Sequence, residues 1–186
     1  MARLSYPYPA YVAEIMQPFP ERLQHTNIGR MLSYAPTTLA PYYTFSATLL
    51  DQLSLDPALR ELTILRVAQR TEAQYAWAQH VALARLVGVS DAQVAALHED
   101  ETQSGFFTEK EQLALAFADA VLQAPRLSNA LFEQMQRLFS SREVVELLVV
   151  VSWYWTSGRL MTTLNLEPDP ALGTQALEML RDQQVR

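Results

Sequence analysis

Residues 57–88 read PALRELTILRVAQRTEAQYAWAQHVALARLVG, and this stretch decides the fold. Asp56 and Pro57 form a helix start, because the aspartate can cap free N–H groups and the proline ring fits a first turn. That helix is expected to run to about Arg70. Thr71 then caps a second helix, with Glu72 near its positive end. The second helix runs to Val87, and Gly88 fits the terminating position. Each helix carries one ionisable residue on an otherwise apolar face. Glu61 shares its face with Pro57, Ile64, Leu65 and Ala68. His80 shares its own with Trp77, Leu83, Val87 and the small residues Ala73, Ala76 and Ala84. Burying either group alone costs several kcal/mol or forces it neutral. Glu61 can pair with an arginine, Arg60 or Arg66, and His80 can donate to a backbone carbonyl. Alternatively the two meet across adjacent antiparallel helices. A carboxylate within hydrogen-bond reach then orients the histidine tautomer and makes an acid/base unit.

The flanking sequence continues in helices. Residues 1–26 hold Pro7, Pro9, Pro18 and Pro20, so this leader cannot be one long helix. Its Tyr6, Tyr8, Tyr11 and Phe19 suit an arm laid on a surface, with a neighbouring subunit as one such surface. The remainder, 27–186, reads as a single helical domain. Asn27 can cap a short helix that ends before Pro36, and Thr37 or Thr38 opens another to about Gln52. Ser90, Thr108 with Glu111, and Ser128 each mark a further helix start. The run REVVELLVVVSWYWTSG is apolar nearly all round and is expected to be the most buried helix, with Trp153, Tyr154 and Trp155 in the core. GTQALEMLRDQQVR reads as a C-terminal helix. The fold class is therefore all-α, with short connections.

Composition excludes several chemistries. The 186 residues contain no cysteine, which removes disulfides, thiolate metal sites and thiol redox catalysis. His25, His80 and His98 show no metal-ligand spacing, and His25 and His98 sit in polar surroundings. Net charge is −6 with no basic block, so no nucleic-acid partner is expected. The longest apolar run, Leu147 to Trp155, is far short of the roughly 20 residues a membrane span needs. A soluble cytoplasmic protein without a membrane partner is the expectation. The composition is 49% hydrophobic and only 18% charged, which suggests apolar surface covered by further copies of the chain.

The order Arg60-Glu61, Ile64-Leu65-Arg66-Val67, Tyr75-x-Trp77-x-x-His80, Ala84-Arg85 and Gly88-Val89-Ser90 resembles the signature of the carboxymuconolactone decarboxylase-like family, which includes the alkylhydroperoxidase D-like proteins. More loosely, the resemblance extends over residues 28 to 169. It implies an all-helical, compact domain that assembles as a homo-oligomer, trimer or hexamer. The family's redox branch carries a Cys-x-x-Cys pair seven and four residues before the histidine, where this chain has Ala73 and Ala76. The proton-handling half, Glu61 and His80, is retained. A thiol peroxidase is thereby excluded chemically, whatever family label is attached.

The decarboxylase branch implies a cofactor-free lyase or isomerase acting on a small carboxylated lactone or ring compound, as in aromatic-acid catabolism. On that resemblance His80 is the candidate proton donor and Glu61 orients it. Arg66 and Arg159 are candidate carboxylate holders, and Tyr75 and Trp77 candidate pocket walls. Neither a cofactor nor a metal is implied. A non-catalytic helical ligand-binding oligomer, with the pair structural, is the alternative.

Overall fold

The computed structural model describes residues 1–169, and among them every regular element is a helix. The expected C-terminal helix from Gly173 lies outside the described residues. The leader forms α1 (Pro9–Met16) and α2 (Glu21–Gln24), followed by α3 (Asn27–Leu32) and α4 (Pro36–Asp51). The central pair is α5 (Pro57–Arg70) and α6 (Gln74–Leu86). Then come α7 (Asp91–His98), α8 (Glu109–Gln123), α9 (Asn129–Leu138) and α10 (Ser141–Leu164).

Helix α5 is the axis of the molecule. Asp56 caps it through Leu59 N–H at 2.9 Å, Pro57 occupies the first turn, and every residue from Leu59 to Ala68 is buried. This corrects the expectation that the valine-rich helix is the most buried. Helix α10 keeps Val145, Leu148 and Trp155 on an exposed face, whereas α5 is wrapped by α6, α8 and α10 together. Ile64 and Val67 meet Val150, Val151 and Tyr154 of α10, and Leu62 and Leu65 meet Leu115 of α8. Fully burying a large aliphatic side chain contributes about 1.5–3 kcal/mol, so such a helix carries a large share of the core.

Three expected helix starts are reassigned, and α4 opens at Pro36 after Ala35 instead of at Thr37 or Thr38. Thr26, not Asn27, caps α3 by accepting from Gly29 N–H at 3.1 Å. Thr71 does not cap α6; its hydroxyl donates to the Val67 carbonyl at 2.7 Å, and Glu72 takes a left-handed φ of 55° to turn the chain. The turn into α6 folds back on the end of α5, where Ala73 N–H donates to the Ala68 carbonyl at 2.8 Å. The Ser90, Thr108 and Ser128 caps form as expected, and Gly88 closes α6 with a φ of 99°.

The leader packs against its own chain. Val12 and Met16 are buried with Leu39 and Met161, and Arg3 N–H bonds the Leu164 carbonyl at 2.9 Å. A second clamp pins the loop before α5. Glu146 on α10 accepts from Ser54 N–H at 3.1 Å, Ser54 Oγ at 2.9 Å, Leu55 N–H at 2.9 Å and Arg142 Nε at 2.7 Å. Burial alone would raise the Glu146 carboxyl, but these bonds outweigh it and hold it below the usual carboxylate range. Among the described residues, no helix is long and apolar enough to cross a membrane.

Candidate functional site

Glu61 and His80 meet. The adjacent helices α5 and α6 bring Glu61 Oε2 to 2.8 Å from His80 Nδ1. A carboxylate oxygen only accepts, so Nδ1 carries the hydrogen and Nε2 is the ring's outward polar atom. Glu61 is fully buried and the His80 side chain keeps 10% of its surface accessible. The other carboxylate oxygen, Oε1, accepts from Arg60 Nε at 3.1 Å and lies 3.1 Å from Arg60 Nη2. Arg60 Nη1 donates to the Leu50 carbonyl at 2.6 Å, in the last turn of α4, where helix carbonyls lack partners. Arg60 cancels the Glu61 charge, which lets a charged carboxylate sit in the core.

Tyr154 of α10 completes the surroundings. Its ring meets the imidazole edge to face, with centroids 4.8 Å apart at 89°. Burial first, and the Glu61 carboxylate second, push its hydroxyl well above the ordinary tyrosine range. Ring contact fixes the imidazole plane, and Glu61 fixes its tautomer. Together they give a preoriented histidine with one free nitrogen, which can hand over or take up a proton.

The remaining sequence candidates go elsewhere. Arg66 is buried on another side of α5, with its guanidinium 2.5 Å from Asp119, 2.5 Å from Asp100 and 3.1 Å from Gln69. Its donors are committed to those carboxylates and not to the histidine. Tyr75 is buried and donates its hydroxyl to Asp169, which also accepts from Asn27 N–H at 2.9 Å. It therefore ties the end of the described chain to α3. Trp77 is half-buried beside His98, with ring centroids 5.7 Å apart. Arg159 is exposed and lines a cleft of about 710 Å³ between the α5–α6 turn and the end of α10. Ala73 and Tyr75 line the same cleft, while Glu61 and His80 do not. Trp155, expected in the core, also lines it and is 47% exposed. The apolar run that suggested burial does not continue around the whole of α10.

Sequence reasoning named Arg60 only as a possible neutralising partner and missed Tyr154 and Glu146 as organising residues. A carboxylate inside the valine-rich run REVVELLVVV was the available signal for Glu146. Among the described residues, no group of three or more His, Asp or Glu side chains is placed to hold a metal ion.

Comparison with known proteins bears on this arrangement. The model of the Carboxymuconolactone decarboxylase family matches residues 36–120, which contain Arg60, Glu61 and His80. Over those residues the chain is similar to the Carboxymuconolactone decarboxylase family. The chain contains no cysteine, and Ala73 and Ala76, seven and four residues before His80, are both buried. No curated protein matches the chain at a significant level. Among solved structures, the chain is similar to an alkylhydroperoxidase AhpD core, an uncharacterized peroxidase-related protein from Ralstonia eutropha JMP134, with TM-score 0.78 and 17% identity over 90% of this chain and 92% of that one. An uncharacterized peroxidase-related protein from Silicibacter sp. TM1040 gives TM-score 0.72 and 15% identity, covering 90% and 92%. The debrominase Bmp8 in complex with 2,3,4-tribromopyrrole gives TM-score 0.73 and 19% identity, covering 96% and 99%. At these identities the likeness establishes the all-helical fold.

Proposed function

We propose that this protein performs cofactor-free acid/base chemistry, decarboxylation or isomerisation, on a small carboxylated lactone or ring compound. The observation that carries the reading is the 2.8 Å bond from His80 Nδ1 to a Glu61 carboxylate held on its other oxygen by Arg60. In a decarboxylation the bond between ring carbon and carboxylate breaks, and its electron pair stays on the ring carbon. His80 Nε2–H supplies the proton that forms the new C–H bond, and solvent restores it. Glu61 stabilises the imidazolium before transfer. That a structural relative holds a small ring compound, 2,3,4-tribromopyrrole, supports the substrate size. With no cysteine in the chain, nothing supplies a thiolate for the peroxidase alternative.

The test is a panel of small carboxylated lactones and ring acids, followed by NMR for CO2 loss or ring isomerisation. His80→Gln is expected to abolish turnover with the melting temperature nearly kept.

A second reading has its own observation: Glu61 and His80 are buried, bonded to each other, and outside the cleft. In that reading the pair is structural in a ligand-binding protein. It predicts no turnover on any panel member and a clear fall in melting temperature for His80→Gln. The proposal also includes a homo-oligomer that covers exposed Val145 and Leu148. Light scattering of the purified chain reads its mass directly.

A further inference from the structure

We propose that the cleft between the α5–α6 turn and the end of α10 is a binding site for a flat ring compound bearing a single carboxylate. The cleft volume of about 710 Å³ lies within the usual range for small-molecule sites. Several of its polar groups are already committed. Thr71 Oγ1 donates to Val67, Thr162 Oγ1 to Gly158 at 2.9 Å, and Asn165 Nδ2 to the Met1 carbonyl at 2.7 Å. Arg70 leans on Asp119 at 3.3 Å and Asp100 at 3.5 Å. Arg159 makes no ion pair among the described residues.

Arg159 stands one helical turn from Trp155, so guanidinium and indole share a face of α10. That pairing suits a planar acid: the ring lies against the indole, and the carboxylate takes two parallel N–H bonds from the fork. The geometry depends on Gly158. A Cβ there would stand 3.0 Å from Thr71 Oγ1 and 3.3 Å from Ala73 Cβ, so the missing side chain lets α10 close on the turn. Glu72 lines the same cleft and disfavours a second anionic group on the ligand. Ala73 lies at the start of the α6 face that carries His80 about 10 Å further in. His80 does not line the cleft, so this binding site stands independently of the proposed acid/base reading.

The experiment is isothermal titration calorimetry of the full chain with benzoate, benzamide and phthalate. Benzoate is expected to bind one to one, with benzamide and phthalate each weaker by about tenfold or more. In Arg159→Gln the preference for benzoate over benzamide is expected to vanish, and Trp155→Ala to weaken both. Both positions are exposed, so the variants are expected to fold, which circular dichroism verifies. His80→Gln is expected to bind benzoate like the native chain, even where all turnover is lost. Absence of benzoate binding at millimolar concentration overturns the proposal. So does an Arg159→Gln variant that keeps the preference, or a His80→Gln variant that loses binding. Phthalate bound as tightly as benzoate overturns the single-anion assignment.

Discussion

Two arginines lie six residues apart on α5, and both are buried, yet they do different work. Arg60 pairs with Glu61, which has no exposure at all, and that carboxylate turns its second oxygen to a histidine. Arg66 meets two carboxylates, and these reach water: Asp100 is 52% exposed and Asp119 21%. The first group is buried and contains a histidine. The second is an edge network of permanently charged groups that ties α5 to α8 and the end of α7. The difference teaches that burial of a cation says little by itself. What its partner carboxylate touches next decides whether the cluster can be chemical or is structural.

The comparison breaks most sharply at Glu61. Glu61→Ala removes the buried carboxylate from Arg60, leaving it the Leu50 carbonyl and the field of Asp51, and is expected to destabilise by about 3–5 kcal/mol in urea unfolding. A loss under about 1 kcal/mol would mean that water or another acceptor reaches Arg60. Arg66→Ala is expected to cost less, about 1–3 kcal/mol by the same measurement, because Asp100 and Asp119 can turn to solvent. An equal cost at the two sites would erase the distinction.

A pH series sharpens it further. The hydrogen bond from Arg66 holds the Asp100 carboxyl below its ordinary value. Folding lowers that pKa, so the stabilisation is complete above the unfolded value near about 3.9 and is lost as pH falls through the folded one. Melting temperatures taken downward from about pH 6 should therefore converge for the native chain and Arg66→Ala. Parallel curves would show that Asp100 draws nothing from Arg66. Salt gives the smallest effect. At about 1 M, where screening acts within about 3 Å, the cost of Arg66→Ala should shrink while that of Glu61→Ala stays constant.

Helix faces were legible before any coordinates. Glu61 and His80 were placed inward by their apolar neighbours at helical spacing, and they meet at 2.8 Å. The N-cap residues Asp56, Ser90, Thr108 and Ser128 were equally plain, because a cap bonds within three residues of itself. The partners of Arg66 and Tyr75 were not legible, because Asp119 and Asp169 lie 53 and 94 residues away. Trp155 was misread because an apolar run does not say which of its faces a neighbouring helix covers. On α10 the neighbours cover Tyr154 and leave Trp155 at the cleft.

By itself the sequence determined an all-helical chain, the inward facing of one glutamate and one histidine on consecutive helices, and the absence of thiols beside them. Those features follow from a 3.6-residue period, local capping and composition, all of which act within a few turns. Only the tertiary structure decided that Arg60 and not Arg66 neutralises Glu61, that Tyr154 braces His80, and that Arg159 and Trp155 look into a cleft away from both. Those pairings depend on how α4, α6, α8 and α10 seat around α5. That seating is set by the packing of the whole core, which no short window of sequence contains.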